Sequence, residues 1–306
     1  MEEVEQMILV TGAAGFIGHH LIPLLKAEGH EIVGLDKNGD GMKDLDIPRI
    51  ICDITDTNNM KNLADSLRVG KPVTHCIHLA AIASPRIAEK EPGEAWMTNV
   101  QGTHNVLELL HQAGCPRVLF FSSAHVYGIS PKYMPTDENH PLALHDTYTT
   151  TKIVGEQLCK LFYDNHGISY TNLRLWNAYG PGQSPDYFIG KKISQAVAGK
   201  DITIWNGSVT KDWVHVSDVV EAAARALVSN YIGPLNVGTG IETSLAEIIS
   251  QIADAFGSKV VPEDLPDDGP TRMRCDYTRI KRLLDWEPKV KFKDGLADLI
   301  EHARKA

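Results

Sequence analysis

The amino-acid sequence predicts an α/β protein: a doubly wound parallel sheet, followed by a smaller α/β region toward the C-terminus. Three observations support this prediction. Short apolar runs alternate with segments of helical period through the first half of the chain, which is the pattern of repeated βαβ units. A glycine-rich turn joins the first apolar run to the first helical segment. After about Arg174 the elements shorten, and the connections become rich in glycine and proline.

Each predicted strand is a short apolar run, as expected of parallel strands that helices cover on both faces. The strands fall at residues 7–11, 30–36, 50–52, 75–80, 118–122 and 169–175. The helices fall at residues 16–28, 59–67, 94–113 and 147–165. We expect one domain over residues 1–175, with 212–240 returning to it, and a second over 176–211 and 241–306. In the second, the acidic and proline-rich stretch 262–270 is either an ordered lid or a mobile loop.

Composition excludes several classes of protein. The 306 residues include 30 Lys+Arg against 39 Asp+Glu, a net charge of −9 that argues against nonspecific nucleic-acid binding. No apolar run approaches the roughly 18 residues of a membrane span, and the first residues lack the basic region of a signal peptide. The five cysteines are scattered without a CxxC pair, so we expect reduced thiols and a cytoplasmic protein.

The first turn has the chemistry of a phosphate cradle. Gly12, Gly15 and Gly18 follow the first strand in a GxxGxxG spacing and open a helix, whose N-terminal amides and dipole favour an anion. Asp36 ends the second strand, where a carboxylate can bind both ribose hydroxyls and repel a 2′-phosphate. That favours NAD over NADP. Asp53, after the third strand, is placed to meet the adenine, and it can also cap the following helix, since the two roles are compatible.

A phenol and an ammonium share one helical face. Tyr148 and Lys152 stand four residues apart at the start of a helix, so they project together. A nearby ammonium lowers the pKa of a tyrosine toward the working pH, which suits proton exchange with a substrate hydroxyl. Ser122 and Ser123 end a buried strand, at the edge of the sheet where ligands bind.

Further motifs follow in a characteristic order. They are TGAAGFIG (11–18), HLAA (78–81), SSAHVYG (122–128), YTTTK (148–152), RLWNAYGPG (174–182), KDWVHVSD (211–218), NVGTG (236–240) and LLDWEPKVKFKDGL (283–296). Together they resemble the extended short-chain dehydrogenase/reductase family, and more narrowly its branch of NAD-dependent nucleotide-sugar epimerases and dehydratases. The resemblance implies a Rossmann-type fold with NAD as cofactor and a nucleotide sugar as substrate.

The resemblance also implies roles for individual residues. Those expected to hold NAD are Gly12, Gly15, Phe16, Ile17, Gly18, Asp36, Asp53, Ile54, Leu79, Ala80, Ala81, Asn99, Tyr148 and Lys152. Those expected to be catalytic are Ser123, Tyr148 and Lys152. Those expected to meet the substrate are Ser84, His125, Asn177, Lys211 and Arg272. For Ser84 a plain turn is the alternative, and Arg274 is the alternative to Arg272 for the diphosphate.

The chain departs from the family pattern after the catalytic serine. In the dehydratases an Asp-Glu pair follows that position, whereas here Ala124 and His125 do. This counts against elimination of water by a carboxylate. His125 is a substrate contact, an extra acid/base or a packed loop histidine. We predict no metal site, because His75 and His78 point to opposite faces of a strand.

The favoured function is an NAD-dependent 4-epimerase of a UDP-hexose, passing through a 4-keto sugar. The alternatives are a dehydratase or a 4-keto reductase of the same family, and, ranked below them, a non-catalytic NAD-sensing protein. Helices 94–113 and 147–165 carry apolar surface beyond what the sheet covers. By resemblance they pair with a second subunit, so we expect a homodimer, with extra intramolecular packing as the alternative.

Overall fold

The computed structural model describes residues 7–69, 71–263 and 271–305. The strands in these ranges are β1 (Met7–Thr11), β2 (Glu31–Asp36), β3 (Arg49–Ile51), β4 (Val73–His78), β5 (Arg117–Ser123), β6 (Ser169–Leu175), β7 (Asn177–Tyr179), β8 (Ile202–Ile204), β9 (Thr210–His215), β10 (Gly233–Val237), β11 (Glu242–Ser244) and β12 (Val260–Pro262). The α-helices are α1 (Phe16–Ala27), α2 (Thr57–Val69), α3 (Pro85–Lys90), α4 (Pro92–Trp96), α5 (Gly102–Ala113), α6 (Thr147–His166), α7 (Phe188–Val197), α8 (Val216–Leu227), α9 (Leu245–Phe256), α10 (Thr278–Leu284) and α11 (Phe292–Lys305).

The chain divides into two compact units. The first comprises Met1–Val126, Leu142–Arg174 and Val220–Leu235, and the second comprises Tyr127–Pro141, Leu175–Val219 and Asn236–Ala306. Residues 127–141 therefore belong to the second unit, whereas the sequence predicts them in the first domain. No described helix is both long and apolar enough to cross a membrane.

A seven-stranded sheet in the order β3-β2-β1-β4-β5-β6-β10 dominates the first unit. β1 pairs in parallel with β2 on one side and with β4 on the other. The strand order therefore reverses beside β1, and open α/β sheets bind ligands at the carboxyl ends of strands flanking such a reversal. This confirms the predicted Rossmann-type sheet.

The predicted elements of the first unit are present, with ends that shift by one or two residues. One predicted helix contains a turn of a different helical type. The segment predicted as a single helix over 94–113 consists of α4, a π-helical turn at Met97–Gln101 and α5, in one continuous run. Single π-turns occur frequently at functional sites, because the extra residue re-aims the side chains around it.

The second unit has its own apolar core and smaller sheets. β11, β9 and β7 form one sheet, and β12 pairs with β8. Trp213, Ile248 and Leu296 are among the buried residues that join this core from β9, α9 and α11. Of the predicted lid or loop at 262–270, Pro262 ends β12, and residues 264–270 lie outside the described residues.

Asp212 organises the second unit. Its side chain is fully buried and accepts hydrogen bonds from Thr239 N (2.8 Å), Thr239 Oγ1 (2.7 Å), Gly240 N (2.7 Å) and Cys275 N (3.0 Å). Burial raises the pKa of this carboxyl, against the opposing effect of the four donors. The aspartate of the KDWVHVSD motif therefore binds three chain segments together.

Candidate active site

The glycine turn after β1 is shaped by close backbone contacts. Gly12 adopts a φ of +70°, and a Cβ there would lie 2.5 Å from Ala80 N and 2.8 Å from its Cα. Only glycine is compatible with that approach between the ends of β1 and β4. Gly15 precedes α1 without a side-chain cap, and the first turn of α1 has no acidic residue. The N-terminal amides and dipole of α1 therefore remain suited to an anion.

Asp36 is tied to this turn. Its Oδ2 accepts a hydrogen bond from Ala14 N (3.1 Å), and its Oδ1 accepts one from Asn38 N (2.9 Å). Asp53, two residues beyond the neighbouring strand β3, is 41% exposed; its Oδ1 accepts from Thr55 N and Oγ1 (both 2.9 Å), and its Oδ2 lies 3.9 Å from Lys37 Nζ.

The capping role predicted for Asp53 is wrong. The first amides of α2 are accepted by Asp56 Oδ1, from Asn58 N (3.1 Å) and Asn59 N (3.0 Å). Ile54, the predicted adenine neighbour, is 4% exposed and fills the space that a Cβ at Gly102 of α5 would need.

A buried histidine connects the two central strands. His78 Nδ1 lies 2.6 Å from Thr11 Oγ1, and His78 Nε2 lies 3.0 Å from Thr103 Oγ1. Thr103 already donates its hydroxyl proton to Asn99 O (2.6 Å), so His78 is the donor at Nε2 and the acceptor at Nδ1. Burial lowers its pKa to about 3, with Lys152 contributing, so the imidazole is neutral.

The predicted dinucleotide-lining segment begins directly after His78. Leu79 N donates to Thr11 O (3.1 Å), and Ala80 N lies 3.4 Å from Thr11 Oγ1. Leu79, Ala80 and Ala81 are all partly exposed. They therefore present apolar surface at the carboxyl edge of the sheet.

Asn99 lies within the π-helical turn and braces three parts of the first unit. Its Oδ1 accepts from Ile82 N (2.7 Å), and its Nδ2 donates to Ile82 O and to Thr151 Oγ1 (both 3.0 Å). The amide thereby connects the segment after β4 to α6, one residue before Lys152.

Ser123, Tyr148 and Lys152 come together in the first unit. Ser123 is the last residue of β5, and the other two lie on the first turns of α6. All three side chains are nearly buried, at 6%, 6% and 4% exposure. The Lys152 Nζ lies 5.9 Å from the centroid of the Tyr148 ring and donates to Phe121 O (2.8 Å). Tyr148 and Lys152 are therefore juxtaposed, and the hydrogen bond to Phe121 O places the Lys152 ammonium two residues before Ser123 on β5.

Packing of α6 on β5 sets this geometry. Asp146 caps the helix, with its Oδ1 accepting from Thr149 N (2.6 Å). Gly155, two turns along, lies directly on the ring of Phe120, where a Cβ would come within 3.1 Å of two ring carbons and closer still to a third. The absence of a side chain there allows the helix to approach the strand.

A buried ion pair adjoins Lys152. Arg174 donates from Nε and Nη2 to the two carboxylate oxygens of Glu156 (2.9 and 2.7 Å), and Ser122 Oγ donates to Glu156 Oε1 (2.6 Å). Burial lowers the pKa of Lys152 to about 8, and the charge of Glu156, one helical turn away, opposes that fall. Sequence reasoning missed Glu156; its i+4 spacing from Lys152 was the available signal.

His125 lies beside the tyrosine and belongs to a cluster that sequence reasoning also missed. Its ring meets the Tyr148 ring edge-on, with centroids 5.9 Å apart, and lies nearly parallel to the His145 ring at 6.5 Å. His145 Nε2 is 3.0 Å from Asp146 Oδ2. Ligand atoms of His125, His145 and Asp146 all lie within 4.8 Å of one another. The sequence signal for it was the His145-Asp146 pair, which Thr147 separates from the YTTTK motif.

The remaining predicted substrate residues occupy several places. Ser84, in the first unit, caps α3 by accepting from Ile87 N (3.4 Å), which fits its turn alternative. In the second unit, Asn177 Nδ2 donates to Asp212 O (2.9 Å) from β7, and the half-buried Lys211 lies on β9.

The two candidate arginines differ in their partners. Arg272 forms a bidentate pair with Glu242, at 3.0 Å from Nε and 2.5 Å from Nη2. The buried Nε of Arg274 has no hydrogen-bond partner among the described residues. Arg274 also lines a cavity of about 510 Å³ in the second unit, together with Lys281 and Arg282.

Comparisons with known proteins show the family of the chain. Residues 8–238 match the family model described as the NAD dependent epimerase/dehydratase family. A UDP-glucose 4-epimerase of Mycolicibacterium smegmatis is 35% identical over 312 residues, covering 97% of this chain and 98% of that protein. UDP-glucuronic acid decarboxylase 6 of Arabidopsis thaliana is 32% identical over 317 residues, covering 97% of this chain and 88% of that protein.

A solved structure has a very similar fold. The crystal structure of the UDP-glucose 4-epimerase of Thermus thermophilus in complex with NAD superposes with a TM-score of 0.90 at 29% identity. The alignment covers 98% of this chain and 100% of that chain.

Proposed function

The chain belongs to the NAD-dependent epimerase/dehydratase family, and within it we propose that the protein is a nucleotide-sugar 4-epimerase acting on a UDP-hexose. The observation that carries the proposal is the buried arrangement of Ser123, Tyr148 and Lys152. A general acid/base is present there, whereas Ala124 and His125 occupy the positions after the serine where a dehydratase has carboxylates. The relative and the solved structure named as UDP-glucose 4-epimerases support the same activity.

The first unit has the features that NAD requires. The turn at Gly12, Gly15 and Gly18 would hold the pyrophosphate against the uncapped N-terminus of α1, with Phe16 and Ile17 in its first turn. Asp36 is held at the end of β2, where it would accept from the adenosine ribose. The other expected contacts are Asp53, Ile54, Leu79, Ala80, Ala81 and Asn99. The chemistry that NAD supplies when bound is reversible uptake of a hydride.

The side chains of the first unit handle the proton. Tyr148 Oη, as phenolate, takes the proton of the sugar C4 hydroxyl and later returns it to the 4-keto oxygen. Ser123 Oγ hydrogen-bonds the same oxygen. The Lys152 ammonium, 5.9 Å from the Tyr148 ring, stabilises the phenolate by its positive charge. Inversion requires the 4-keto sugar to present its other face before the hydride returns.

For the nucleotide diphosphate we propose Arg274 ahead of Arg272. The guanidinium of Arg272 is occupied by the Glu242 carboxylate in bidentate geometry, which is the geometry that a phosphate would need. Arg274 retains an unsatisfied buried donor beside a cavity. Asn177 and Lys211 are the further expected contacts in the second unit, and Ser84 and His125 are those in the first.

A second candidate reaction is decarboxylation of a UDP-hexuronic acid, which the Arabidopsis relative favours. It shares the first step, oxidation at C4, and so it would use the same three side chains. A dehydratase or a 4-keto reductase would also share those residues.

The proposal also includes the oligomeric state and the cellular location. We propose a homodimer, because Trp96, Met97 and Leu161 leave large apolar side chains 45–49% exposed on and beside the predicted pairing helices. We propose a cytoplasmic protein, because all five cysteines are free thiols.

The test is proton NMR of the purified protein with UDP-, dTDP- and GDP-hexoses and UDP-hexuronic acids in D2O, without added nicotinamide. The proposal predicts a C4 epimer free of solvent deuterium. A pentose product would establish the decarboxylase, a 4-keto-6-deoxy product the dehydratase, and turnover only with added NAD(P)H the reductase. Tyr148→Phe should abolish turnover while bound NAD is retained. Full activity of that variant would refute the assigned role.

A further inference from the structure

We propose that His125, His145 and Asp146 form a binding site for a divalent transition-metal ion of the Zn²⁺ class, beside the Tyr148 side chain. The inference does not depend on the proposed reaction. Two imidazoles and one carboxylate are N and O ligands that suit zinc, cobalt and nickel, and three protein ligands leave a fourth position open. The three side chains come from the turn after β5 and the turn before α6.

The ligand atoms are close enough to converge on one ion. In a tetrahedral zinc site, neighbouring ligand atoms lie about 3.3 Å apart, given metal–ligand bonds of about 2.0–2.1 Å. His145 Nε2 and Asp146 Oδ2 already lie 3.0 Å apart, and no two of the three ligand atoms are more than 4.8 Å apart. The longest of the three separations therefore exceeds the tetrahedral value by at most about 1.5 Å.

The atoms of His145 and Asp146 that would not bind the ion have polar partners of their own. His145 Nδ1 lies 3.5 Å from Ala143 O, and its Nε2 lies 3.0 Å from Asp146 Oδ2 and 3.5 Å from Thr149 Oγ1. A metal ion bound here would replace the proton between Nε2 and the carboxylate, and the carbonyl could then accept a hydrogen bond from Nδ1. The other oxygen of Asp146 is fixed by Thr149 N, the kind of second hydrogen bond that orients ligands around metals.

The side chains are also turned inward. His145 lies on an exposed turn, yet its side chain is only 17% exposed, and that of Asp146 is 19% exposed. An ion bound there would lie next to the Tyr148 ring, because the His125 ring contacts that ring edge-on. Occupancy would then immobilise His125 and place a positive charge beside the acid/base, so it should slow turnover.

The experiment titrates the purified protein with Co²⁺, whose visible absorption reports tetrahedral coordination, and then with Zn²⁺ by calorimetry. We expect one site with a tetrahedral spectrum that Zn²⁺ displaces. His145→Gln should lower the affinity at least about tenfold. Asp146→Asn keeps the helix cap but removes the anionic ligand, so it should also weaken binding while leaving the circular dichroism spectrum unchanged.

The matched control is His166→Gln. It disrupts the other close histidine pair, His111 and His166, whose ring centroids are 4.0 Å apart. The affinity of the His166→Gln variant for the metal ion should equal that of the unmodified protein. An octahedral spectrum, or a loss of affinity in His166→Gln but not in His145→Gln, would overturn the proposal. Inhibition by Zn²⁺ that His145→Gln relieves, measured against each variant's own metal-free rate, would support its catalytic consequence.

Discussion

Replacing Gly155 by alanine tests whether close approach of α6 to β5 sets the catalytic geometry. The new Cβ would come within 3.1 Å of two ring carbons of Phe120 and closer still to a third, where ordinary contacts begin near 3.4 Å. Phe120 is 2% exposed and belongs to the apolar core of the first unit. Either its ring or the helix must therefore move by about 1 Å.

The expected free-energy change combines two opposing effects. Alanine in a helix interior is favoured over glycine by about 1 kcal/mol. Overpacking a dense core costs about 1–3 kcal/mol. The net destabilisation is therefore about 0–2 kcal/mol, which leaves the protein folded. Displacement of the helix that carries Tyr148 and Lys152 relative to Ser123 acts separately, because a misplacement of about 1 Å can lower a rate about 100-fold.

The assay compares kcat with the free energy of unfolding in urea. We expect Gly155→Ala to lose about 100-fold in kcat with little loss of stability, and Gly155→Ala/Phe120→Leu to recover much of the activity. Gly93→Ala is the matched control, because Gly93 lies in exposed α4 and its Cβ would meet nothing within 4 Å. A Gly155→Ala variant with unchanged kcat would refute the reasoning.

Three further predictions follow from buried titratable groups. His78 has a pKa of about 3 in the folded protein, against the ordinary 6.5. Between these two values the imidazole binds a proton only when the protein unfolds, so the free energy of unfolding should decrease by about 2 kcal/mol from pH 7 to pH 5. Urea titrations of His78→Asn should show a shallower pH dependence, and an equal slope would contradict this. Lys152 should lose its proton near pH 8, so kcat/KM should decline above that pH, whereas a level profile to pH 9.5 would argue against a cationic role. Of the five cysteines only Cys52 is incompletely buried, so an aromatic disulfide reagent should modify at most one thiol until urea exposes the others; rapid modification of several thiols would contradict the described burial.

The parts of the fold and site that the sequence predicts are those set by local patterns. The glycines of the first turn, the strand that precedes them and the helix that follows lie within one short segment, so period and spacing identify them. Tyr148 and Lys152 are equally local, because four-residue spacing on a helix places them on one face. The parallel arrangement of the strands follows from the repeated βαβ units.

The remaining features depend on long-range contacts that no local pattern encodes. Glu156 meets Arg174 only because α6 packs across β6, and Arg272 meets Glu242 only through the fold of the second unit. The cluster of His125 with His145 depends on how two separate turns close over the end of β5. The π-helical turn at Met97–Gln101 likewise coincides with the tertiary hydrogen bonds of Asn99 rather than with any helix-breaking residue.

The four donors that converge on Asp212 have a kinetic consequence for the second unit. The amides of Thr239 and Gly240 come from one stretch of chain and that of Cys275 from another, yet all are held by one buried side chain. None can be released singly without leaving a buried charge undersolvated, so they should open to solvent as one unit. In native-state hydrogen exchange their protection factors should be similar and should fall together with rising urea, so that the turn at Thr239 and Gly240 and the segment around Cys275 behave as one foldon.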